Sequence, residues 1–499
     1  MSFKTTLLKQ GGKFIQRQIA KQSANALQDQ DRTLKYLIST ARNTVFGRDH
    51  GFNDFRDHRS YVNAVPITDY EGHRPYVDQI LAGKASVLWP GIPKYLAKTS
   101  GTTSGVKYIP ISKESMPYHI ASARNATLNM LTKLNNVDVL SGKLIFVSGS
   151  PVLSKTDSGI PLGRLSGIVN HEIPSWLQRN QMPSYDTNCI EDWEEKIDTV
   201  ARETLKEDMT LISGIPPWVQ MYYEKLLEIS GKDQVIDLFP NYGLFVYGGV
   251  NYAPYKDTLK QLVGKDIPSL ETYPASEGFI AFQDEPGNNG LLLNTNAGIF
   301  YEFVELKDIN SEKPTRLTLR DVELGKDYAI ILSTNAGLWS YNIGDTVRFV
   351  SLDPYRIVVS GRIKHFISAF GEHVIGKEVE QAMVKTVSAH NASIVEFSVA
   401  PQVTPKEGLP YHEWFIEWDQ LPSDINKFAT DLDNAIQDQN IYYKDLIQGK
   451  ILKPLILTQV SKGGFRSYME TQGKLGGQNK VPRLSNDRSL VEKLNVSNG

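Results

Sequence analysis

The sequence has a single cysteine, Cys189, in 499 residues. This count excludes an intramolecular disulfide and a metal site built from several cysteines. A low cysteine content is typical of proteins in a reducing compartment, so we expect a cytoplasmic localisation. We expect Cys189 itself to be a small buried apolar residue rather than a catalytic thiol.

Long hydrophobic runs are also absent. No run of 18 apolar residues occurs, so the sequence predicts no transmembrane segment. The N-terminal stretch lacks the apolar core and cleavage site of a signal peptide and is typical of a basic amphipathic helix. We expect Phe14, Ile15 and Ile19 on one side of this helix, with Lys13, Arg17 and Lys21 elsewhere. Packing against the main domain is the favoured interpretation, and binding to a membrane surface is the alternative.

The sequence also lacks a strong net charge. Lys and Arg number 54 and Asp and Glu number 56, a formal net charge of −2, which argues against a protein that coats nucleic acid. The 9 histidines are scattered without a His-x-x-x-His pair, so the sequence offers no clustered metal ligands. We therefore expect no nucleic-acid partner, and the oligomeric state stays open.

The length and the pattern of apolar residues predict a two-part α/β architecture. A chain of 499 residues should form two or more cores. The first hundred residues read as helices, and strand-like runs such as KLIFVSG and YAIILSTN then alternate with helices, which favours a layered α/β domain. After Gly361, half-exposed strands and two further helices indicate a separate, smaller α+β domain.

One stretch is unusually rich in hydroxyl side chains and glycine: KTSGTTSGVKYIP, residues 98–110. An ordinary solvated turn has this composition, because glycine, serine and threonine are common in loops. The alternative is a phosphate cradle, in which glycine lets the backbone approach a polyanion and N–H and O–H groups point at its oxygens. The sequence contains neither a Walker loop nor a dinucleotide-binding fingerprint, so such a cradle would be of another kind.

Three later stretches bear on this choice. ETYPASEGFIAF places Tyr273 four residues before Glu277 within one loop, and AGLWSYNIGDTVRF leads to Asp345 at the start of a strand. VVSGRIKHFISAFGEHV places Gly361 and Arg362 at the join between the two predicted domains. Taken singly, these residues are a solvated acid, a turn cap and the end of a strand. In this order, after a Ser/Thr/Gly loop, they resemble the adenylate-forming superfamily of acyl and aminoacyl ligases.

Further stretches restrict this resemblance from the superfamily to one family. The loop continues Ser-Gly-Val-Lys-Tyr-Ile-Pro, and together with TYPASE, TNAGLWSYNIGD and GGQNKVPRL it resembles the Gretchen Hagen auxin-responsive family of acyl acid amido synthetases. It extends over nearly the whole chain, from Val45 to Leu484. The chain is shorter than typical plant members, with tighter loops where the acyl pocket forms, so no plant-hormone substrate is carried over. We expect a bacterial member.

This resemblance implies a fold and a reaction. The expected fold is a large N-terminal ATP- and acyl-binding domain of layered sheets and helices over residues 1–360, a hinge over 361–371, and a mobile C-terminal α+β domain over 372–499. The expected activity is that of an ATP-dependent carbon–nitrogen ligase. It joins a carboxylic acid to AMP with release of pyrophosphate, then transfers the acyl group to the amine of an amino acid. ATP and Mg²⁺ are the implied cofactors.

The resemblance also assigns roles to residues. Tyr273 would stack on adenine, Asp345 would accept hydrogen bonds from the ribose hydroxyls, and Glu277 would lie near Mg²⁺. Lys480 would act as the catalytic cation beside the α-phosphate, with Lys474 as its rival. The implied nucleotide-binding residues are Thr99, Ser100, Gly101, Thr102, Thr103, Tyr273, Ser276, Glu277, Asp345 and Arg362.

The chemistry of these residues suits the reaction, because both substrates of adenylation are anions. Backbone N–H groups and the hydroxyls of Ser100, Thr102 and Thr103 supply donors that need not lose a proton. Mg²⁺ near Glu277 would draw charge from the pyrophosphate leaving group. Arg124 has two open interpretations: a partner for the acyl carboxylate, or a solvated helix charge.

Two other functions share most of these features. One is a thioester-forming ligase that passes the acyl group to coenzyme A. The other is a non-catalytic ligand-binding relative, and the intact loop, Glu277, Asp345 and Lys480 argue against it. The identity of the acyl acid and of the amine is not encoded in any of these motifs.

Overall fold

The computed structural model of the chain describes residues 3–100, 106–173, 178–249, 252, 255–288, 290–309, 311–362, 366–367, 369–372, 374–472 and 481–496. The chain divides into two compact units. The larger consists of Met1–Thr99, Lys107–Ile190 and Ile197–Ile363, and the smaller of Ser100–Val106, Glu191–Lys196 and Lys364–Gly499. The predicted hinge over residues 361–371 stays a prediction.

Helices fill the N-terminal part and recur between the strands, as the sequence predicts. The α-helices among the described residues are α1 (Phe3–Ala24), α2 (Ala26–Ala41), α3 (Val45–Asp49), α4 (His58–Ala64), α5 (Tyr70–Leu81), α6 (Met116–Lys133), α7 (Leu165–Glu172), α8 (Tyr185–Asn188), α9 (Trp193–Thr204), α10 (Pro216–Ser230), α11 (Lys256–Val263), α12 (Gly376–Ala389), α13 (Ile425–Gln439), α14 (Ile441–Gln448) and α15 (Gly464–Thr471). Short 3₁₀ helices occur at Phe52–Asp54, Val137–Ser141, Val235–Asp237 and Val491–Lys493.

The strands of both units are numbered together. They are β1 (Tyr95–Ser100), β2 (Val106–Ile111), β3 (Lys143–Val147), β4 (Ser154–Lys155), β5 (Pro161–Gly163), β6 (Gln181–Met182), β7 (Met209–Gly214), β8 (Leu244–Gly248), β9 (Ser269–Ala275), β10 (Gly278–Phe282), β11 (Leu291–Leu293), β12 (Ile299–Glu305), β13 (Asp327–Thr334), β14 (Tyr341–Leu352), β15 (Tyr355–Arg362), β16 (Phe366–Ile367), β17 (Val374–Ile375), β18 (Ser393–Gln402), β19 (Tyr411–Gln420) and β20 (Ile456–Gln459).

The larger unit is built on an eleven-stranded mixed sheet. Its strand order is β12-β13-β14-β15-β11-β10-β9-β8-β7-β3-β6. From β9 to β6 the neighbouring strands are parallel, and from β9 to β12 they are antiparallel. Strand β9 is therefore the point at which the sheet changes character. A separate four-stranded sheet has the order β2-β1-β5-β4.

Apolar side chains cover the sheet on the side where α1 and α6 pack. Ile15 and Ile19 of α1 and Met130 of α6 form one core with Leu144 of β3 and Leu270 of β9. A second core lies along the antiparallel part of the sheet, from β9 to β12 in the strand order. A third core joins α2–α5 to the β1–β2 region around the fully buried Trp339. These three cores hold the strand ends in place.

A buried ion pair fastens the α4 region to the sheet. Arg316 and Glu302 are almost fully inaccessible to solvent and form a two-pronged salt bridge with N–O distances of 2.9 and 2.6 Å. His58 of α4 makes a 2.7 Å contact from Nε2 to the same carboxylate. The Arg316 guanidinium holds the pKa of Glu302 below its usual value against the opposing effect of burial. The carboxylate thus stays charged inside the unit.

The smaller unit is an α+β structure in which buried polar pairs accompany an apolar core. Strands β18, β19 and β20 form a three-stranded sheet, with β18 antiparallel and β20 parallel to β19. Glu372 and His412 are both buried, and their carboxylate and Nε2 atoms lie 2.8 Å apart. Tyr443 donates a 2.6 Å hydrogen bond to Asp433. Burial raises the pKa of Glu378 at the start of α12 to about 7.

The predicted fold class is confirmed: a mixed α/β chain with a large N-terminal part and a smaller C-terminal part. One detail of the prediction is wrong. Ile15 and Ile19 are buried, but Phe14 is 58% exposed. Consecutive helical residues are separated by about 100°, so Phe14 faces away from the contact that Ile15 makes.

Two smaller expectations have different outcomes. Cys189 is a free thiol that is only half-buried, so it is less enclosed than predicted. As for membrane segments, the described helices include none with the length and apolar character needed to cross a bilayer.

His73 provides a test of the fold through pH. The Trp339 N–H donates to its Nε2 at 3.1 Å, so the ring is neutral with the proton on Nδ1. Burial lowers the pKa of His73 to about 4, below the unfolded value of about 6.5. The unfolded chain therefore binds the proton first, and stability is lost as the pH falls from 6.5 towards 4. At pH 5 the loss should be about 2 kcal/mol.

The measurement is the thermal midpoint at pH 7.5 and pH 5. We expect His73→Gln to reduce the difference between the two midpoints, because the glutamine cannot take up the proton. His171→Gln, at an exposed histidine, is the matched control and should keep the difference. An unchanged difference in His73→Gln would mean that His73 does not carry this pH dependence.

Candidate functional site

The parallel half of the large sheet presents its strand ends on one edge. Strands β3, β7, β8 and β9 run in the same direction and are neighbours, so their carboxyl ends lie side by side. In open α/β sheets, ligands bind outside the carboxyl ends of the strands. Strand β9 is the last of these parallel strands, and its carboxyl end leads directly into the antiparallel half.

Strand β9 turns into β10 through a two-residue hairpin. Ala275 pairs with Gly278, so Ser276 and Glu277 form the turn itself. Both side chains are half-buried. The sequence prediction placed Tyr273 and Glu277 in one loop; the structure instead places Tyr273 inside β9 and Glu277 at the turn. Gly278 allows the tight approach here, because a Cβ on it would lie 2.4 Å from Ile299.

Asp345 lies inside strand β14 rather than at its start, at an irregularity in the ladder. Opposite β13 the register shifts between Ala329 and Ile331, which is typical of a β-bulge. Gly344 has a φ of 90°, a conformation that favours glycine, and its N–H donates to the Asn342 side chain at 2.9 Å. The bulge therefore sets the direction of the Asp345 side chain.

Two of the predicted nucleotide-binding residues meet directly. The Tyr273 hydroxyl donates a 2.5 Å hydrogen bond to Oδ2 of Asp345. Both residues are buried, with exposed fractions of 8% for Tyr273 and 4% for Asp345. Strands β10, β11 and β15 lie between β9 and β14 in the sheet order. The antiparallel half must therefore curl back on itself to bring the two side chains together.

A third predicted residue adjoins this pair through the backbone. Arg362 is the cross-strand partner of Asp345 in the β14–β15 ladder. The preceding Gly361 has a φ of 155° and pairs with Thr346. Tyr273, Asp345, Arg362 and the Ser276–Glu277 turn thus belong to one continuous sheet.

The predicted phosphate loop connects two strands. Thr99 and Ser100 are the last residues of β1, and β2 begins at Val106. These flanking strands were not predicted, because the composition of the stretch indicates only a loop. Gly101, Thr102 and Thr103 lie outside the described residues, as do Lys474 and Lys480.

Two further polar residues can be placed on α6. Arg124 is exposed and donates to the neighbouring Asn125 at 3.1 and 3.2 Å, which favours the solvated helix charge over a carboxylate partner. His119 on the same helix is buried, and burial lowers its pKa to about 4. A histidine kept neutral in this way belongs to the core.

Sequence reasoning missed the glycines that end the parallel strands. Gly149, Gly214 and Gly248 lie at or just after the ends of β3, β7 and β8. A Cβ on Gly248 would lie 2.3 Å from the Thr272 carbonyl oxygen, and one on Gly214 would lie 3.0 Å from the Val147 carbonyl oxygen. The signal was present as an apolar run followed by glycine in VSGS, ISGIPP and YGGV, and it indicates strand ends that pack too closely for side chains.

Glu271 adds a carboxylate on the same strand as Tyr273. It lies two residues earlier in β9 and so points to the same face of the sheet. Burial raises its pKa, and the Tyr247 hydroxyl of β8 lies 3.5 Å from its carboxylate. This face therefore carries a partly desolvated acid next to the Tyr273–Asp345 pair.

The residues fit a magnesium ion only if a ligand supplies most of the oxygens. Within the described part of the chain, no group of three or more His, Cys, Asp or Glu side chains is arranged to hold a metal. Mg²⁺ in nucleotide sites is usually held by one or two carboxylates together with phosphate oxygens and water. A single carboxylate at the Glu277 turn is consistent with that mode of binding.

Three family models match successive parts of the chain. The N-terminal domain of the GH3 family matches residues 15–187, its central domain matches 292–362, and its C-terminal domain matches 377–489. Together they cover well over half of the sequence, and they occur in the order in which their names place them.

Curated relatives and solved structures agree with these matches. The jasmonoyl–L-amino acid synthetase JAR4 of Nicotiana attenuata is 23% identical over 92% of this chain and 91% of its own length. The indole-3-acetic acid-amido synthetase GH3.3 of Arabidopsis thaliana is 21% identical over 93% and 90%. The solved structure of the AtGH3.15 acyl acid amido synthetase in complex with 2,4-DB has a TM-score of 0.64 at 18% identity, covering 98% of this chain and 97% of that chain.

A thioester-forming enzyme shares the fold as well. The solved 2-hydroxyisobutyryl-CoA ligase has a TM-score of 0.59 at 14% identity, covering 95% of this chain and 91% of that chain. At this identity the likeness concerns the fold alone.

The closely packed end of β8 can be tested with one methyl group. Gly248→Ala would place a Cβ 2.3 Å from the Thr272 carbonyl oxygen, so β8 or β9 must shift. We expect a loss of about 1–3 kcal/mol in stability, the usual cost of overpacking. Gly11→Ala is the matched control in the same unit. Its Cβ meets Leu128 at an ordinary 3.9 Å, and alanine favours the helix.

The measurement is the thermal midpoint of both variants. Gly248→Ala should unfold at a lower temperature than the unchanged protein, and Gly11→Ala should be unchanged or more stable. Equal midpoints for Gly248→Ala and the unchanged protein would show that the β8–β9 edge accommodates a side chain.

Proposed function

Because the chain belongs to the GH3 family, as its sequence predicts, we propose that it is an ATP-dependent acyl acid amido synthetase. It joins a carboxylic acid to AMP with release of pyrophosphate, and then transfers the acyl group to the amine of an amino acid with release of AMP. The observation that carries the site assignment is the hydrogen bond between Tyr273 and Asp345. It brings the two proposed nucleoside-binding residues together near the carboxyl end of β9.

The Tyr273–Asp345 pair is proposed to bind the nucleoside. Asp345 is an acceptor-only group when ionised, and it can accept from ribose hydroxyls while it holds the Tyr273 hydroxyl. That hydrogen bond restrains the Tyr273 ring, one face of which is proposed to stack on adenine. The bulge at Gly344 fixes the direction of the carboxylate before ATP arrives. A preformed site of this kind loses less entropy on binding.

In the first step, a carboxylate oxygen attacks the α-phosphorus, and the bond from that phosphorus to the pyrophosphate oxygen breaks. Both reactants are anions, so their repulsion must be reduced before they meet. We assign this task to the loop of Thr99, Ser100, Gly101, Thr102 and Thr103, through its N–H and hydroxyl donors, and to Lys480. Ser276 and Arg362 complete the proposed nucleotide contacts.

Magnesium is proposed as the companion of ATP, with Glu277 as its protein ligand. When bound, the ion supplies positive charge to the phosphate oxygens. The contribution of this chain is to hold the carboxylate on a two-residue turn between β9 and β10. A turn that short keeps Glu277 next to the Tyr273 strand.

In the second step, the neutral amine of an amino acid attacks the acyl carbonyl. The carbon–oxygen bond to AMP breaks, AMP leaves with both electrons of that bond, and the proton that the amine loses passes to solvent. We propose that residues 372–499 act as a mobile domain about a hinge at 361–371, with Lys480 delivered for the first step only.

The proposed setting is a reducing, cytoplasmic compartment, supported by the single cysteine of the sequence. The proposed ligands are a small carboxylic acid, an amino acid and ATP.

The decisive test is a screen for pyrophosphate release from ATP over a library of carboxylic acids. Each active acid is then supplied with amino acids or with coenzyme A, and the product is identified by mass spectrometry. An amide formed only in the presence of an amino acid supports the proposal. A coenzyme A thioester would assign the chain to thioester-forming ligases, and failure of every acid to release pyrophosphate would favour a non-catalytic relative.

Removing the Asp345 carboxylate should weaken ATP binding. We expect Asp345→Ala to lose about 1.5–3 kcal/mol of affinity, the value for hydrogen bonds to a charged group. Tyr273→Phe keeps the ring and removes the hydroxyl that Asp345 accepts, so its loss should be smaller. The measurement is calorimetric titration of each variant with ATP. Unchanged affinity in Asp345→Ala would remove this residue from the site.

Measuring adenylation and amide formation separately distinguishes the roles of Lys480 and Lys474. Loss of Lys480 should lower adenylation by roughly 10²–10³-fold, the effect of removing an electrostatic partner of the transition state. Amide formation from a supplied acyl-adenylate should suffer much less. Lys474→Ala is the matched control and should affect neither step.

The measurement is single-turnover kinetics of each half-reaction in the two variants. Equal losses in both steps for Lys480→Ala would indicate a structural lysine. A loss found only in Lys474→Ala would transfer the role to Lys474.

A further inference from the structure

Helix α1 has two faces of different character, and its inner face packs against the rest of the larger unit. Ile15 and Ile19 are 7% and 8% exposed and belong to the core beneath α6. Gly12 faces Thr132 of α6 so closely that a Cβ would lie 1.9 Å from the threonine hydroxyl. This face anchors α1 to the larger unit as a rigid element.

The outer face keeps two large apolar side chains in solvent. Leu7 is 52% exposed and Phe14 is 58% exposed. They are seven residues apart, which is close to two helical turns, so they lie on one ridge. Lys21 continues the same ridge after seven more residues. Most aromatic side chains in this chain are at least partly buried, so the exposure of Phe14 needs an explanation.

The charge of this helix is of one sign. The first 28 residues contain five cationic side chains and no acidic one. The cationic residues are Lys4, Lys9, Lys13, Arg17 and Lys21. Over the whole chain, acidic residues slightly outnumber basic ones. The concentration of positive charge in α1 is therefore local, as in a basic patch.

These cations are exposed and not neutralised by the rest of the unit. Lys13, Arg17 and Lys21 are all exposed, and among the described residues none of the three takes part in an ion pair. By contrast, Lys133 on the neighbouring α6 pairs with Glu285. The outer face of α1 thus presents unpaired positive charge around Leu7 and Phe14.

We propose that this outer face docks the protein on the surface of a bilayer that contains anionic lipid. The cations are attracted to the negative headgroups, while Phe14 and Leu7 enter the boundary between headgroups and acyl chains. Because the inner face of α1 is anchored to the larger unit, docking needs no release of the helix. The proposal is independent of the enzymatic activity proposed above.

Other partners suit this face less well. A second copy of the chain would bring two faces of like charge together, since a twofold interface joins identical patches, and like charges oppose that contact. A nucleic acid would match the cations but would give no apolar environment to Leu7 and Phe14. A bilayer satisfies both features at once.

The test is co-sedimentation of the full chain with two kinds of vesicle. One contains phosphatidylcholine alone, and the other contains about 30% phosphatidylserine, which gives the negative surface potential. Binding should be confined to the anionic vesicles and should weaken as salt is added. Sedimentation with both kinds alike, or with neither, would overturn the proposal.

Two variants separate charge from insertion. Lys13→Glu with Arg17→Glu should weaken binding to anionic vesicles by roughly 10²–10³-fold, since each basic residue near the surface is worth about 1 kcal/mol and each change also adds a repelled negative charge. Phe14→Ser should weaken it by about 10-fold through lost apolar burial. Lys155→Glu with Lys232→Glu, at exposed lysines elsewhere on the larger unit, is the matched control and should bind as before.

The same variants distinguish the alternatives. A dimer that Phe14→Ser dissolves would assign the face to a second copy. Binding to duplex DNA that needs Lys13 and Arg17 but not Phe14, without binding to vesicles, would assign it to nucleic acid. Either result contradicts bilayer docking.

Discussion

The change from parallel to antiparallel pairing at β9 is the constraint on which the rest of the larger unit depends. Parallel strands on one side place their carboxyl ends on a common edge. The immediate return of β10 on the other side leaves room for only Ser276 and Glu277 between the strands. The antiparallel half then curls until Asp345 reaches the Tyr273 hydroxyl. The change of strand pairing at β9 thereby produces both the common edge of strand ends and the Tyr273–Asp345 pair, which the proposed nucleotide site requires.

Much of the fold was predictable from apolar patterning, because apolar residues recur at one spacing in helices and at another in strands. The helical N-terminal part, strands such as β3, β13 and β15, and the α+β texture after Gly361 are confirmed. The orientation of Phe14 was wrong because adjacency in sequence was taken for adjacency on a helix. The exposed side of α1 could be found only once the position of α6 was known.

For the candidate site, the sequence predicts the residues but not the contacts between them. The motifs predicted which residues to examine, but not that Tyr273 and Asp345 touch, since that contact depends on the curl of a sheet across three intervening strands. Asp345 was expected at a strand start and lies instead in a bulge, which needs Gly344 at a positive φ and Asn342 beside it. The glycines that end β3, β7 and β8 had a visible signal, an apolar run followed by glycine, to which no role was assigned.

The proposed reaction begins when an oxygen of the carboxylic acid attacks the α-phosphorus of ATP. Its most direct test uses a carboxylic acid labelled with ¹⁸O in both oxygens, followed by mass spectrometry of the nucleotide product after amide formation. The AMP should carry one ¹⁸O atom, because the carboxylate oxygen stays on phosphorus when the amide forms. Unlabelled AMP, or ADP together with labelled inorganic phosphate, would contradict it.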